Sequence, residues 1–262
     1  MTDNVIAHVR HQLKQAANEL RTYPPEEIDW PTRASSACER LVPWLVESAA
    51  GLCKYVEHVM NSPTEVRIAI DDLLSLVDQN PDFASDEKYK ALAKLIRSAL
   101  DYETLLISQA GGTVVSKLIE KFLIENSSEW ELESNGASDY PDLFFRGDDY
   151  SQLPAFTRGK GNSYGAATKG KAKRPVRIPD GLEIKTCNQT FAVDCHHAHA
   201  GLYLVLIYVK APDRFVVTDI FVGFMRHELY RITNPDSPTT TLKASFNGSA
   251  FVSVFGDSGR SV

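Results

Sequence analysis

The sequence predicts an α/β or α+β protein with a central mixed β-sheet flanked by helices and a helical N-terminal region. Three observations predict it. Up to about residue 125, apolar residues recur at helical spacing. After residue 130, glycine, proline and aromatic residues increase, and short apolar runs replace that periodicity. The longest apolar run, residues 201–209, has the length of a buried strand and is far too short to span a bilayer.

The elements follow in order. Ile6, Val9, Leu13, Ala17 and Leu20 predict a helix over 3–21, ended by Pro24-Pro25. A second helical stretch covers about 35–60, with Pro43 as a boundary or kink. Ser62-Pro63-Thr64-Glu65 is a start signal, with a capping serine, proline at the first helical position and glutamate at the third. The helix it opens carries Val66, Ile70, Leu73, Leu74 and Val77. Another helix fits 85–108. Gly111-Gly112 then breaks the pattern, and Thr113 caps a helix reaching about Glu125. Strands are expected at about 141–146, 181–187, 202–209 and 215–222, with a further strand or hairpin in 240–255. Residues 190–200 read equally as a short helix or a loop. Residues 1–108 thus form a helical region suited to scaffolding, dimerisation or embracing DNA, and 109–262 form the core. No composition-marked linker separates them, so one integrated domain fits as well as two.

Composition sets the outer limits. The chain has 262 residues, is 43% hydrophobic and carries a net charge of −6, which excludes collagen-like, mucin-like and globally disordered classes. Its opening is polar and lacks the apolar segment of a secretory signal, and its four cysteines have no framework spacing. An intracellular protein with reduced thiols is expected, with no membrane partner. No phosphate-binding glycine loop is present, so no nucleotide cofactor is implied.

Chemistry concentrates in Pro141-Asp142 and Gly181-Leu182-Glu183-Ile184-Lys185. On a strand, Glu183 and Lys185 share one face while Leu182 and Ile184 take the other. If Asp142 lies on a neighbouring strand, Asp142 and Glu183 can share a hard divalent cation, with Lys185 beside the attacking water. Asp139, Asp148 and Asp149 compete for the first carboxylate, but Asp142 opens the apolar run Leu143-Phe144-Phe145. This pattern of Pro-Asp followed by Glu-x-Lys resembles the PD-(D/E)xK nuclease superfamily, type II restriction endonucleases especially. The resemblance implies Asp142, Glu183 and Lys185 as catalytic residues, Mg²⁺ as cofactor, and a restriction-endonuclease-like core. It also implies a metal-binding glutamate on the preceding helix, for which Glu120 is the candidate. A helical wheel burying Val115, Leu118, Ile119 and Phe122 places Glu120 nearly opposite that face, where the plain alternative is a solvated surface glutamate.

Residues 156–185 hold Arg158, Lys160, Lys169, Lys171, Lys173, Arg174, Arg177 and Lys185 against Asp180 and Glu183. The local charge of +6 leaves −12 for the rest of the chain. Five glycines loosen this segment, which suits ordering along a phosphate backbone or a solvated insertion. Asn188 and Gln189 suit adenine contacts. His196, His197 and His199 suit contacts to bases or phosphates, or local packing. With Cys187 and Cys195 they match no standard zinc spacing. The function expected is Mg²⁺-dependent, sequence-specific hydrolysis of double-stranded DNA by a homodimer, because a two-fold enzyme matches a palindrome. The alternatives are a repair or structure-specific nuclease of the same superfamily, and a non-catalytic DNA-binding protein.

Overall fold

The computed structural model describes residues 30–79, 109–127, 132–134, 142–145, 167–168, 171–172, 181–195, 201–225, 231–232, 242–245 and 251–256, with Ala7 and His11 as isolated helical positions. The helices expected over most of 3–21 and at 85–108 lie outside the described residues.

Helices pack against a mixed β-sheet. Helix α1 spans Trp30–Met60, α2 Pro63–Gln79 and α3 Gln109–Asn126. The main sheet holds six strands: β1 (Leu132–Ser134), β2 (Leu143–Phe145), β5 (Gly181–Asn188), β7 (Gly201–Lys210), β8 (Phe215–Met225) and β11 (Phe251–Phe255), paired in that order. Only β5 and β7 run parallel; every other neighbouring pair in this sheet is antiparallel. A second sheet pairs β6 (Ala192–Cys195) with β10 (Leu242–Ser245) and β9 (Arg231–Ile232). A short ribbon joins β3 (Ala167–Thr168) to β4 (Lys171–Ala172).

The strand expectations at 181–187, 202–209 and 215–222 match β5, β7 and β8 closely. The chain ambiguous between helix and loop at 190–200 instead contributes β6. It leaves β5 through Gln189, whose φ of 70° turns the chain, and Phe191 packs edge-on to Phe221 and Phe251. All residues from Leu202 to Tyr208 are buried, as a central strand covered on both faces requires.

Two seams fix the helices. In the first, β11 pairs with β8 over Ile220–Gly223, and side chains from the end of α1 bond the β8 backbone at Phe215 and Val217. The Asn61 amide accepts from Phe215 N at 2.6 Å and donates to Phe215 O at 2.9 Å, reproducing the reciprocal pair of an antiparallel strand. Val217 N donates to Glu57 Oε1 at 2.8 Å. Pro43 lies inside α1 rather than at its boundary.

In the second seam, α3 lies on β5. Gly111-Gly112 does not interrupt α3, which starts at Gln109 and runs through both. The reason is close approach. Thr186 Oγ1 donates to Gly112 O at 3.0 Å, and a Cβ at Gly112 would sit 3.2 Å from that same hydroxyl oxygen. Gly112 lowers helix propensity but lets the helix reach the sheet.

Candidate metal and active site

Strand register builds the site. Leu143 pairs with Leu182 in the antiparallel β2–β5 ladder, so one further step sets Asp142 opposite Glu183. Asp142 Oδ2 accepts a hydrogen bond from Ile184 N at 2.7 Å, which ties the start of β2 to the middle of β5. Glu183 and Lys185 share a face, and Lys185 Nζ donates to Glu183 Oε1 at 2.6 Å. Leu182 and Ile184 are buried on the other face.

Glu120 enters from α3. It is 5% exposed, so the wheel argument that placed it on the solvated side fails. That argument allowed α3 a single buried stripe. The helix instead packs against α1, α2, β1 and β5 at once, and its buried residues run from Val114 round to Glu120 and Leu123. Lys117 Nζ donates to both carboxylate oxygens of Glu120, at 2.6 and 2.8 Å, and Ser134 Oγ donates to Oε2 at 3.4 Å. Lys117 was not singled out by sequence; its only signal was the i,i+3 spacing to a glutamate.

The electrostatics tie three carboxylates together. Burial first and the charge of Asp142 second push Glu183 up to about 7, against the lowering pull of Lys185. Burial likewise pushes Glu120 up to about 7, with Lys117 opposing and Asp142 reinforcing the shift. Glu183 Oε2 is fully buried and has no hydrogen-bond partner. Ionised carboxylates without a matching cation are expensive at such depth.

Among the described residues, no three His, Cys, Asp or Glu side chains are already gathered as a metal cage. Protein donors already engage each carboxylate: Ile184 N on one oxygen of Asp142, Lys185 on one oxygen of Glu183 and Lys117 on both oxygens of Glu120. The donor set still fits a hard divalent cation. Among the described residues it is all oxygen, one buried oxygen is unpartnered, and the three acids outnumber the two lysines.

The expected DNA contacts divide in two. Asn188, at the far end of β5 and about 17 Å along the strand from Glu183 at ordinary strand rise, and Gln189, just beyond it, are both exposed. Gln189 N donates to Tyr208 O, which anchors the turn they sit on. Arg158, Lys160, Lys169, Lys173, Arg174, Arg177, His196, His197 and His199 lie outside the described residues. Lys171 opens β4 opposite Thr168, and only its backbone is described. The Cys187 thiol is buried, where Sγ donates to Ala192 O and accepts from Ala192 N, and burial pushes its pKa up.

No helix among the described residues is long and apolar enough to cross a membrane. Comparison with protein-family models, curated protein sequences and solved structures finds no match.

Proposed function

We propose that this chain is a Mg²⁺-dependent endonuclease of the type II restriction kind, hydrolysing phosphodiester bonds at a specific sequence in double-stranded DNA. One observation carries the reading: the unpartnered, buried Glu183 Oε2, in a site where Asp142 adds like charge. A second cation-binding oxygen beside an acid across the ladder is a costly arrangement unless a cation completes it.

Asp142 and Glu183 hold the metal, and Glu120 is the third carboxylate within electrostatic reach of Asp142. Bound Mg²⁺ supplies Lewis-acid stabilisation of phosphate charge and a more acidic water. Lys185, partly exposed beside Glu183, orients the attacking water and offsets negative charge on the scissile phosphate. The basic side chains of residues 156–180, a stretch of charge +6 that directly precedes β5 in the sequence, contact the phosphate backbone. Asn188 and Gln189 at the other end of β5 contact bases. A homodimer places two such sites on a palindrome. The α3, β1, β2 and β5 assembly is read as a restriction-endonuclease-like core.

The test is incubation of varied unmodified DNA with the purified chain in Mg²⁺, Ca²⁺ or EDTA. Discrete fragments in Mg²⁺ and binding without cutting in Ca²⁺ are expected, with cutting lost in Asp142→Ala and Lys185→Ala. If wild type and both variants bind DNA equally and none cuts any substrate, the chain is a non-catalytic DNA-binding protein.

A further inference from the structure

Two lysines of α3 sit four residues apart and behave differently. Lys121 is half-exposed and meets Asp72 of α2 at 3.9 Å, with both groups in solvent. The Lys117 side chain is 20% exposed and bonds both oxygens of the buried Glu120 carboxylate. The first is a solvated surface pair of little consequence. The second places a monovalent cation on a carboxylate of the candidate metal site.

Charge makes the consequence concrete. Glu120, Asp142 and Glu183 carry −3 when ionised, and Lys117 and Lys185 return +2. Lys185 engages one oxygen of Glu183 and leaves the other unpartnered. Lys117 instead engages both oxygens of Glu120, so an ion taking that carboxylate meets the ammonium at either oxygen.

We propose that Lys117 is a built-in competitor for the divalent cation: its ammonium holds Glu120 in the metal-free protein and is displaced when the cation takes that carboxylate. It is a positioning residue that sets how tightly the site holds metal. The inference rests on the reading of Asp142, Glu183 and Glu120 as cation ligands, and it does not depend on what the loaded site cleaves.

The test measures Mg²⁺ binding by titration calorimetry and Mn²⁺ binding by electron paramagnetic resonance, on the full chain without DNA, at pH 8.5. Lys117→Met removes the competing charge at nearly constant length, and its cation affinity is expected to rise about tenfold or more. Lys117→Arg keeps the charge and is expected to keep wild-type affinity. Lys121→Met removes the same charge from the solvated pair and is expected to change affinity by less than about twofold. Wild-type or weaker affinity in a folded Lys117→Met protein overturns the proposal while leaving the carboxylate site standing. If Lys117→Met does not fold, Lys117→Gln makes the same comparison with a neutral polar side chain. Absence of any divalent-cation binding by wild type overturns the carboxylate site itself, and this proposal with it.

Discussion

Glu57 reaches the main sheet from a helix and Glu183 belongs to one of its strands, and the two glutamates are treated in opposite ways. Glu57, in the seam between α1 and β8, accepts a backbone hydrogen bond from Val217, and the neighbouring Asn61 satisfies both polar groups of Phe215. Glu183, on β5 opposite Asp142, has one oxygen on Lys185 and one with no partner. The seam spends its polar groups on architecture. The site leaves a buried oxygen unsatisfied beside Asp142, which is the kind of local inconsistency that marks function rather than packing. Substitutions at the two places should therefore separate stability from chemistry.

The largest separation is expected at Asp142. Asp142→Asn keeps an oxygen to accept from Ile184 N but removes the charge, so the β2–β5 junction survives. On the proposed reading, cleavage falls by roughly a thousandfold or more, while the urea-unfolding midpoint stays near wild type. A comparable loss of cleavage and of midpoint would make Asp142 a structural residue like Glu57.

Glu183→Gln reverses the usual cost of mutating a buried group. Burial and Asp142 raise its folded pKa from 4.5 to about 7, so the folded chain binds protons more tightly than the unfolded chain across that window. The stability this group contributes is present below about 4.5 and is lost as pH rises through about 7. Glu120 behaves in the same direction. The metal-free wild type should therefore lose stability between pH 5 and pH 8. Glu183→Gln should lose less, and at pH 8 it should exceed wild type by about 1–3 kcal/mol in urea unfolding. Ca²⁺ should raise the wild-type midpoint at pH 8 more than that of the variant.

Asn61→Ala is the converse. It strips both partners from Phe215 and exposes the β8 edge, with an expected loss of about 2 kcal/mol. Cation binding should not change. If it does, the seam and the site are coupled through β8 and β7, and the contrast between them softens.

These residues differ in how far sequence alone could reach them. Period-two alternation was enough to put Glu183 and Lys185 on one face, and the Pro-Asp before an apolar run located Asp142, because strand periodicity and local order are written in consecutive residues. Glu120's depth was not, since it depends on α3 meeting α1, α2, β1 and β5 together, and no pattern within one helix reports how many neighbours it has. Gly112 misled for the same reason: its low helix propensity is local, while its close approach to Thr186 is tertiary. Asn61 and Glu57 were invisible because their partners lie more than 150 residues away.

Ser62 offers the smallest effect and the cleanest check on locality. Its role was readable from Ser62-Pro63-Thr64-Glu65, and its hydroxyl accepts from Glu65 N at 3.3 Å while its carbonyl accepts from Val66 N at 2.9 Å. The hydroxyl bond is long and exposed, so Ser62→Ala should cost only about 0.5–1 kcal/mol, with Ser62→Asp restoring it. Asn61 and Ser62 are chain neighbours that serve different elements, one bonding β8 and the other capping α2. If the two elements dock independently, the double variant loses the sum of the single losses. A shortfall greater than about 0.5 kcal/mol would mean that the start of α2 is held in place by the α1–β8 seam, so that capping matters only while Asn61 keeps its bonds to Phe215.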